Sequence, residues 1–307
     1  MALNFTPKNR NSRILAVGAY RPSRIIPNSD IVDRIESSDE WIRERSGIES
    51  RRFAGPDESV ISMSEAACRQ ALERSGISMA DVDAVIVATI TYPFQTPSAA
   101  TELIALLGNP KAAAFDISAA CAGFCYGVGM ASDLIRSGSA NYVLVVGVEK
   151  LSDFTDPEDR GTAFIFADGA GAVIIGPSES AGIGPTIWGS DATNRDAILM
   201  TPSWIDLKNP ESLGWPDISM QGQTVFRWAV YQMAPIGLQA LAAAGLTPET
   251  LDAFIPHQAN MRIIDSMAKS MKLPDTVAIA RDVRVSGNTS AASVPIAMDS
   301  LLAERPD

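Results

Sequence analysis

The 307-residue sequence has only three cysteines and one histidine. Three cysteines in a chain of this length are not a disulfide framework, which indicates a reduced protein. One histidine and scattered cysteines lack the ligand spacing of a metal site, so we expect no metal. Long apolar runs are also missing, and runs such as 163–166 and 172–175 are far too short to span a bilayer.

Positive charge is scarce as well, with 25 Lys and Arg against 36 Asp and Glu and a net charge of −11. This balance argues against a non-specific nucleic-acid binder. Residues 1–13 carry charges but no apolar signal-peptide core. We therefore expect a cytoplasmic protein that binds neither nucleic acid nor membrane.

Apolar and small residues alternate in patterns typical of an α/β protein. Buried strands are predicted at 13–20, 84–89, 112–117 and 142–147, and helices at 30–35, 39–46, 60–75 and 99–107. Thr162–Phe166 and Ala170–Gly176 resemble paired strands joined by a tight turn at Gly169-Ala-Gly171. That turn lacks the third glycine and the following helix of a dinucleotide-binding fingerprint.

The second half of the chain resembles the first. Ala71, Gly76, Asp83 and Ile86 have counterparts of the same residue type at a constant offset of 169 positions. Each half thus has a helix, a turn and a buried strand in the same order, which indicates duplicated βαβ units. We expect two halves, residues 1–180 and residues 181–307, with their strand ends facing a shared centre.

Cys121 lies where a predicted strand gives way to a helical pattern. Unpaired N–H groups and the positive end of a helix dipole favour the thiolate at such a position. The surrounding small residues leave room for a substrate. Cys121 is therefore a candidate nucleophile, the alternative being a small buried residue at a tight turn. Cys68 and Cys125 fit the apolar faces of helices and are expected in the core.

The second half supplies two further polar groups. His257 follows a predicted strand, and Asn288 lies at a small-residue turn similar to that of Cys121. Each also has a plain structural interpretation, as a packed histidine and as a turn residue. Together the three groups form a thiolate, an imidazole and an amide donor, a set suited to acyl transfer through a thioester.

At this point the sequence resembles a known family, the 3-oxoacyl-acyl-carrier-protein synthases III. The resemblance runs from about Arg13 to the last residue. Its motifs are Ser38-Asp-Glu-Trp-Ile42, Ala120-Cys-Ala-Gly123, Asp159-Arg-Gly161, Phe166-Ala-Asp-Gly-Ala-Gly171, Pro256-His-Gln-Ala-Asn260 and Gly287-Asn-Thr-Ser-Ala-Ala-Ser293.

The resemblance implies a thiolase-type, five-layered αβαβα fold with two pseudo-repeated halves, and a homodimer. The family's catalytic triad corresponds to Cys121, His257 and Asn288. Trp41 and Arg160 match the residues that hold the adenine of coenzyme A between them. The other matches to the coenzyme A and substrate sites are Arg45, Thr96, Gly222, Phe226, Ala259, Asn260 and Arg262.

The activity implied is the initiating condensation of fatty-acid synthesis. An acyl-coenzyme A primer and malonyl-acyl-carrier protein give 3-oxoacyl-carrier protein, coenzyme A and CO₂ through an acyl-cysteine, with no resident cofactor. Elongating synthases need two histidines and thiolases a second late cysteine. Plant-type polyketide synthases share the triad, and a starter-unit ketosynthase of a specialised polyketide pathway stays open. A non-catalytic scaffold with the same fold is the remaining alternative.

Three finer expectations concern partners and the chain's end. A basic patch of Arg227, Arg262, Lys269 and Lys272 is expected to dock the acidic carrier protein, unless it is an ordinary solvated helix face. By similarity, Thr96 forms the end of the partner's acyl pocket, and its small size predicts four- or five-carbon primers over acetyl. Family members continue beyond Asp307 with a strand pair and a glycine-rich oxyanion loop, so we expect the natural polypeptide to be longer.

Overall fold

The computed structural model describes residues 10–209, 211 and 214–305, so the expectation about Asp307 lies outside the described residues. The strands are β1 (Asn11–Tyr20), β2 (Arg24–Pro27), β3 (Ser50–Phe53), β4 (Ala84–Ala88), β5 (Ala113–Ile117), β6 (Val143–Lys150), β7 (Asp168–Ser178), β8 (Ile198–Thr201), β9 (Asp217–Met220), β10 (Ala253–Phe254) and β11 (Ala278–Ile279). The helices are α1 (Asp39–Ser46), α2 (Val60–Ser75), α3 (Ala99–Leu107), α4 (Gly123–Ser137), α5 (Gly222–Ala243), α6 (Met261–Ser270), α7 (Val283–Ser286) and α8 (Ser293–Glu304).

Three helices begin and end at the predicted residues because their caps are encoded locally. The side chains of Ser38, Ser59 and Ser98 accept hydrogen bonds from the first turns of α1, α2 and α3. Each helix is followed by a glycine in the left-handed conformation. Serine caps and left-handed glycines are common helix boundaries, which explains the accuracy.

A five-stranded sheet forms the core of the first half, in the order β1-β7-β6-β4-β5. β4 is parallel to β5 and β6, whereas β7 is antiparallel to β1 and β6. Alternate residues of β4 and β6 face two apolar clusters, one with α2 and α3, the other with α4 and α8. Helices on both faces explain why these strands are apolar throughout.

Two local predictions are wrong. Thr162–Phe166 is not a strand: it forms turns, and Phe166 makes an isolated bridge to Asn288. Gly171 lies inside β7 rather than in a tight turn. A Cβ there would lie 2.6 Å from Pro295, so this glycine allows α8 to approach the sheet.

Two smaller expectations also differ from the structure. The helix predicted at 30–35 is a 3-10 turn, Asn28–Asp30, followed by further turns. The Asn28 amide donates hydrogen bonds to Asp39 and to the Ile48 carbonyl, which fixes this segment from outside. Cys68 is buried as expected, but Cys125 is exposed.

The repeat persists in three dimensions. 3-10 turns at Met79–Asp81 and Pro248–Thr250, and the first residues of β4 and β10, keep the offset of 169 positions. β10 pairs with β11 in parallel, as β4 pairs with β5. The division of the chain at residue 180 stays a prediction.

The turns that lead into α4 and α8 also match. Ala120 and Ser290 have φ of +44° and +46°, and each starts a 3-10 turn that runs into its helix. The two turns contact each other. The second turn also packs on β6, where a Cβ on Gly147 would lie 2.2 Å from the Ala291 carbonyl oxygen. No helix in the part of the chain that is described is long and apolar enough to cross a membrane.

Candidate active site

Cys121 lies in the 3-10 turn between β5 and α4, as the sequence predicted. Its neighbour Ala120 has a positive φ, uncommon for a residue with a side chain. Gly123 follows, and a Cβ there would lie 2.8 Å from Cβ of Ala88. Only glycine lets α4 begin this close to β4, so the turn holds the thiol at the helix's N-terminal end.

The surroundings of Cys121 lower the pKa of its thiol. Burial alone would raise this pKa, but the charge of His257 and the nearby donor groups of His257, Ser290 and the Cys121 N–H together lower it below the ordinary value. Cys125, one turn later, keeps part of its surface exposed, yet the atoms packed around it desolvate the thiolate and raise its pKa without an opposing charge. The two neighbouring thiols therefore differ in reactivity.

His257 follows β10 and is held from the second half of the chain. Its Nδ1 lies 2.6 Å from Oγ of Ser293, which also accepts a hydrogen bond of 3.2 Å from the Gln258 N–H. Because Nδ1 is engaged by Ser293, Nε2 is the ring nitrogen left to interact with the Cys121 thiol. Ser293 thus orients the ring toward the thiol.

Asn288 is buried, and its side-chain oxygen accepts a 2.9 Å hydrogen bond from the Ser290 N–H. Its backbone N–H donates to the Ile165 carbonyl and its carbonyl accepts from the Ala167 N–H, both at 2.9 Å. These bonds fix the amide with Oδ1 occupied. No described residue accepts from Nδ2, which leaves that group available as a donor.

A carboxyl group that the sequence analysis did not single out lies near the thiol. Glu149, at the end of β6, is fully buried, and its Oε2 accepts from Thr89, Ile90 and Thr91. Burial raises its pKa to about 8 against these hydrogen bonds, and the negative charge of Cys121 adds to the rise. Its Oε1 has no hydrogen-bond partner among the described residues.

The residues matched to a coenzyme A site form two neighbouring groups. The guanidinium carbons of Arg160 and Arg45 lie 4.8 and 5.5 Å from the Trp41 ring centroid. Arg262 lies 4.7 Å over the Phe226 ring. Asn260 connects the groups by donating a 2.9 Å hydrogen bond to the Arg45 carbonyl, while its Oδ1 caps α6. Gly222 starts α5 close to Phe226, and the Ala259 N–H donates to the His257 carbonyl.

Trp41 and Arg160 are in direct contact. A flat ring between them would need a separation of about 7 Å, twice the usual contact distance. At 4.8 Å the two side chains leave no room for adenine, so Arg160, which is exposed, must move to admit it.

The four residues of the predicted basic patch are all exposed. Arg262 and Lys269 lie on the solvent face of α6, whose opposite face buries Met261, Ile264 and Ala268. Arg227 lies within α5, and Lys272 follows α6. Thr96 is exposed on the loop before α3, in a segment distinct from these groups.

Sequence reasoning missed the roles of Ser290 and Ser293 although it quoted the motif that contains them. A serine at the first residue of a helix is read as a cap, whereas Ser293 bonds to a histidine 36 positions away. The sequence did contain one indication of Glu149, a carboxylate near the end of a largely apolar strand.

The chain is similar to known proteins in both sequence and structure. The family model described as 3-Oxoacyl-[acyl-carrier-protein (ACP)] synthase III matches residues 115–192, and its C-terminal counterpart matches residues 241–306. Beta-ketoacyl-[acyl-carrier-protein] synthase III of Streptomyces glaucescens is 57% identical over 292 residues, which cover 95% of this chain and 88% of that protein.

Two further proteins agree. Beta-ketoacyl-[acyl-carrier-protein] synthase III 1 of Streptomyces coelicolor is 55% identical over 302 residues, with the same coverage of 95% and 88%. The crystal structure of the priming beta-ketosynthase from the R1128 polyketide biosynthetic pathway superposes with a TM-score of 0.96 at 44% identity. The superposition covers 98% of this chain and 90% of the priming ketosynthase chain.

Proposed function

Because this chain belongs to the 3-oxoacyl-[acyl-carrier-protein] synthase III family, we propose that it catalyses the initiating condensation between an acyl-coenzyme A primer and malonyl-acyl-carrier protein. The products are 3-oxoacyl-carrier protein, coenzyme A and CO₂. The observation that carries the proposal is the pairing of Cys121 with His257, which lowers the pKa of the thiol.

The first step is acyl transfer to the enzyme. The Cys121 thiolate attacks the thioester carbon of the primer, the bond from that carbon to the coenzyme A sulfur breaks, and coenzyme A leaves. The N–H of Cys121 is a donor for the oxyanion that forms. Attack by the thiolate rather than the thiol is the reason that a lowered pKa matters at neutral pH.

The second step is decarboxylation and carbon–carbon bond formation. Loss of CO₂ leaves an electron pair on the malonyl unit, and its enolate oxygen accepts from His257 Nε2–H and Asn288 Nδ2–H. The carbanion attacks the acyl-Cys121 carbonyl and the thiolate leaves. We assign Ser293 a positioning role in this second step, when the imidazole carries a single proton: by donating its hydroxyl to Nδ1, it selects the tautomer with that proton on Nε2.

Coenzyme A is proposed to enter beside Trp41. In this proposal Arg160 moves off the ring and the adenine takes its place, so that the cation–π contact of the free enzyme is replaced by stacking. Arg45, Arg262 and Phe226 line the same entrance, together with Gly222, Ala259 and Asn260. The chain's own groups perform the chemistry with coenzyme A as a substrate.

The carrier protein is proposed to dock on the exposed face of α6 around Lys269, with Arg227, Arg262 and Lys272 nearby. The support is the exposure of four cations on an otherwise acidic protein. Lys269→Glu should raise KM for malonyl-carrier protein about two- to fivefold and weaken its salt dependence. Arg136→Glu, which changes an exposed arginine on α4 of the first half, is the control; an equal effect of both changes would contradict the docking site.

We further propose a cytoplasmic homodimer. β5 is the last strand of the main sheet, and Phe94 and Leu106 are exposed beside it, as expected of an edge that another copy covers. In such a dimer the loop with Thr96 reaches the partner's acyl pocket. The small threonine side chain then favours four- or five-carbon primers over acetyl.

A starter-unit role in a polyketide pathway is the second candidate. The likeness to a priming ketosynthase supports it, but the relatives named beta-ketoacyl-acyl-carrier-protein synthase III share more identical residues with this chain. Both roles use the same condensation. Assaying the enzyme with carrier proteins of both pathways would separate them.

The experiment that tests the proposed function is a condensation assay with a panel of acyl-coenzyme A primers and malonyl-carrier protein. Cys121→Ser should lower the rate roughly 10³-fold or more, since the hydroxyl has no strong base. Cys125→Ser is the matched control, one helical turn away, and should keep activity. No 3-oxoacyl product from any primer, or equal loss in both variants, would contradict the proposal.

A further inference from the structure

Two serine hydroxyls near the second half's turn are buried without a hydrogen-bond partner in the described chain. They belong to Ser286 and Ser290, each 3% exposed. An unmade hydrogen bond in a buried hydroxyl is costly and needs a reason. Ser290 also has a φ of +46°, so its residue combines an unpartnered hydroxyl with a left-handed backbone.

The matching turn in the first half shows that this backbone does not require serine. Ala120 has a φ of +44° and likewise starts a 3-10 turn before a helix. Alanine therefore suffices for the geometry. The serine at position 290 adds only a hydroxyl, which the turn itself does not use.

The direction of that hydroxyl follows from its surroundings. The Ser290 N–H donates to Oδ1 of Asn288, which anchors the residue. The turn packs against the one that holds Cys121. The Ser290 hydroxyl is close enough to the Cys121 sulfur to lower the pKa of the thiol, although it makes no hydrogen bond in the described structure. The other groups that face the sulfur are His257, from the segment after β10, and Glu149, from β6.

We propose that Ser290 is a second side-chain donor to the Cys121 thiolate, beside His257. The inference rests on the proposed role of Cys121 as the nucleophile and deepens it. A thiolate accepts this hydrogen bond strongly and a thioester sulfur only weakly. Ser290 thus stabilises the resting thiolate and releases the sulfur once the acyl group is bound.

The test measures the rate of Cys121 alkylation by iodoacetamide as a function of pH, with peptide mass mapping to exclude Cys68 and Cys125. In Ser290→Ala the midpoint of the profile should move up by about one pH unit, equal to about tenfold slower alkylation below the midpoint. The plateau at high pH should be unchanged or higher, because the freed thiolate is more nucleophilic.

Ser290→Gly guards against a folding defect, since glycine accepts the positive φ without strain. Both variants should show the same upward movement. Ser286→Ala removes the other unpartnered hydroxyl and should leave the midpoint in place. An unmoved midpoint in both Ser290 variants, or a lower plateau alone, would overturn the proposal.

The readout needs neither primer nor carrier protein. A failed condensation assay together with a moved midpoint would therefore reject the proposed function but keep Ser290 as the donor. An active enzyme whose alkylation midpoint does not move in the Ser290 variants would keep the proposed function and reject Ser290 as the donor.

Discussion

The turn at residues 119–123 and the turn at residues 289–293 follow the same path. Each puts one residue with a side chain in the left-handed region, makes a 3-10 turn and enters a helix. Cys121 occupies the third position of the first turn, and Ala291 occupies that position in the other. One backbone thus presents a nucleophile in one half, and hydrogen-bond donors surround the corresponding alanine in the other.

The difference shows that the backbone supplies position and the side chains supply the roles. Asn288, Ser290 and Ser293 belong to the second turn or flank it, and each makes a polar contact within the site. The first half holds the acyl group in this account, and the second half tunes the thiol and binds the enolate.

The largest effect on condensation is expected from His257→Ala and Asn288→Ala, which test the roles assigned to the second half. Each removes one enolate donor, so each should lower condensation roughly 10²- to 10³-fold. Only His257→Ala should also move the alkylation midpoint of Cys121 to higher pH, because His257 is a cause of the lowered pKa. The alkylation profile and the condensation rate are measured on the same samples.

If the two variants had the same alkylation midpoint for Cys121, the assigned roles would be contradicted in one of two ways. If Asn288→Ala also moves the midpoint, the amide contacts the thiol and not only the enolate. If neither variant moves it, His257 does not stabilise the thiolate.

Gly147→Ala should break the contact between the halves. The added Cβ would lie 2.2 Å from the Ala291 carbonyl oxygen, a backbone atom that cannot rotate away. We expect a loss of about 1–3 kcal/mol in the free energy of unfolding, measured by denaturant titration. Gly189→Ala, where no atom lies within 4 Å, is the control and should be neutral. If Gly147→Ala and the unmodified protein had the same free energy of unfolding, the turn at Ala291 would have to shift at little cost.

Much of this arrangement could be predicted from the sequence. The thiolase-type α/β fold is confirmed, and caps and glycines fixed the bounds of α1, α2 and α3. Cys121 and His257 could be found because each follows a strand, and Asn288 because it lies in a turn of small residues. Their exact roles stay predictions.

The misses come from contacts distant in sequence. Thr162–Phe166 has the composition of a strand, but the backbone groups of Ile165 and of the following Ala167 bond to Asn288 instead of to a sheet. Ser293 fits a helix start, yet its partner is His257. No local pattern reports such pairs, since the same residues could equally cap a helix or face solvent.

Glu149→Gln should separate the charge near the thiol from the packing around it. With a pKa raised to about 8, the folded protein holds a proton that the unfolded chain releases near the ordinary value of 4.5. Stability from this group is therefore full below about pH 4.5 and falls as the pH rises toward 8. Glutamine keeps an acceptor for Thr91 and does not titrate.

The measurement is the melting temperature at several pH values between 5 and 8. The fall with rising pH should be shallower in Glu149→Gln than in the unmodified enzyme. Glu73→Gln changes an exposed carboxylate and is the control. Parallel curves in all three proteins would show that Glu149 is ionised in the folded state.

The smallest effect concerns the first half's role in choosing the primer. Thr96→Phe should shift the ratio of kcat/KM from butyryl- or isobutyryl- toward acetyl-coenzyme A by about fourfold per CH₂ that no longer fits. Gln95→Phe adds the same bulk at the neighbouring position and should leave the ratio closer to its original value. An acetyl preference in the unmodified enzyme would mean that another residue closes the pocket.

The most direct test of the account is the mass of the enzyme after incubation with an acyl-coenzyme A alone, followed by peptide mapping. We expect one acyl group per chain, bound to Cys121, which disappears when malonyl-carrier protein is added. An adduct on Cys125, or no adduct while condensation proceeds, would contradict Cys121 as the nucleophile.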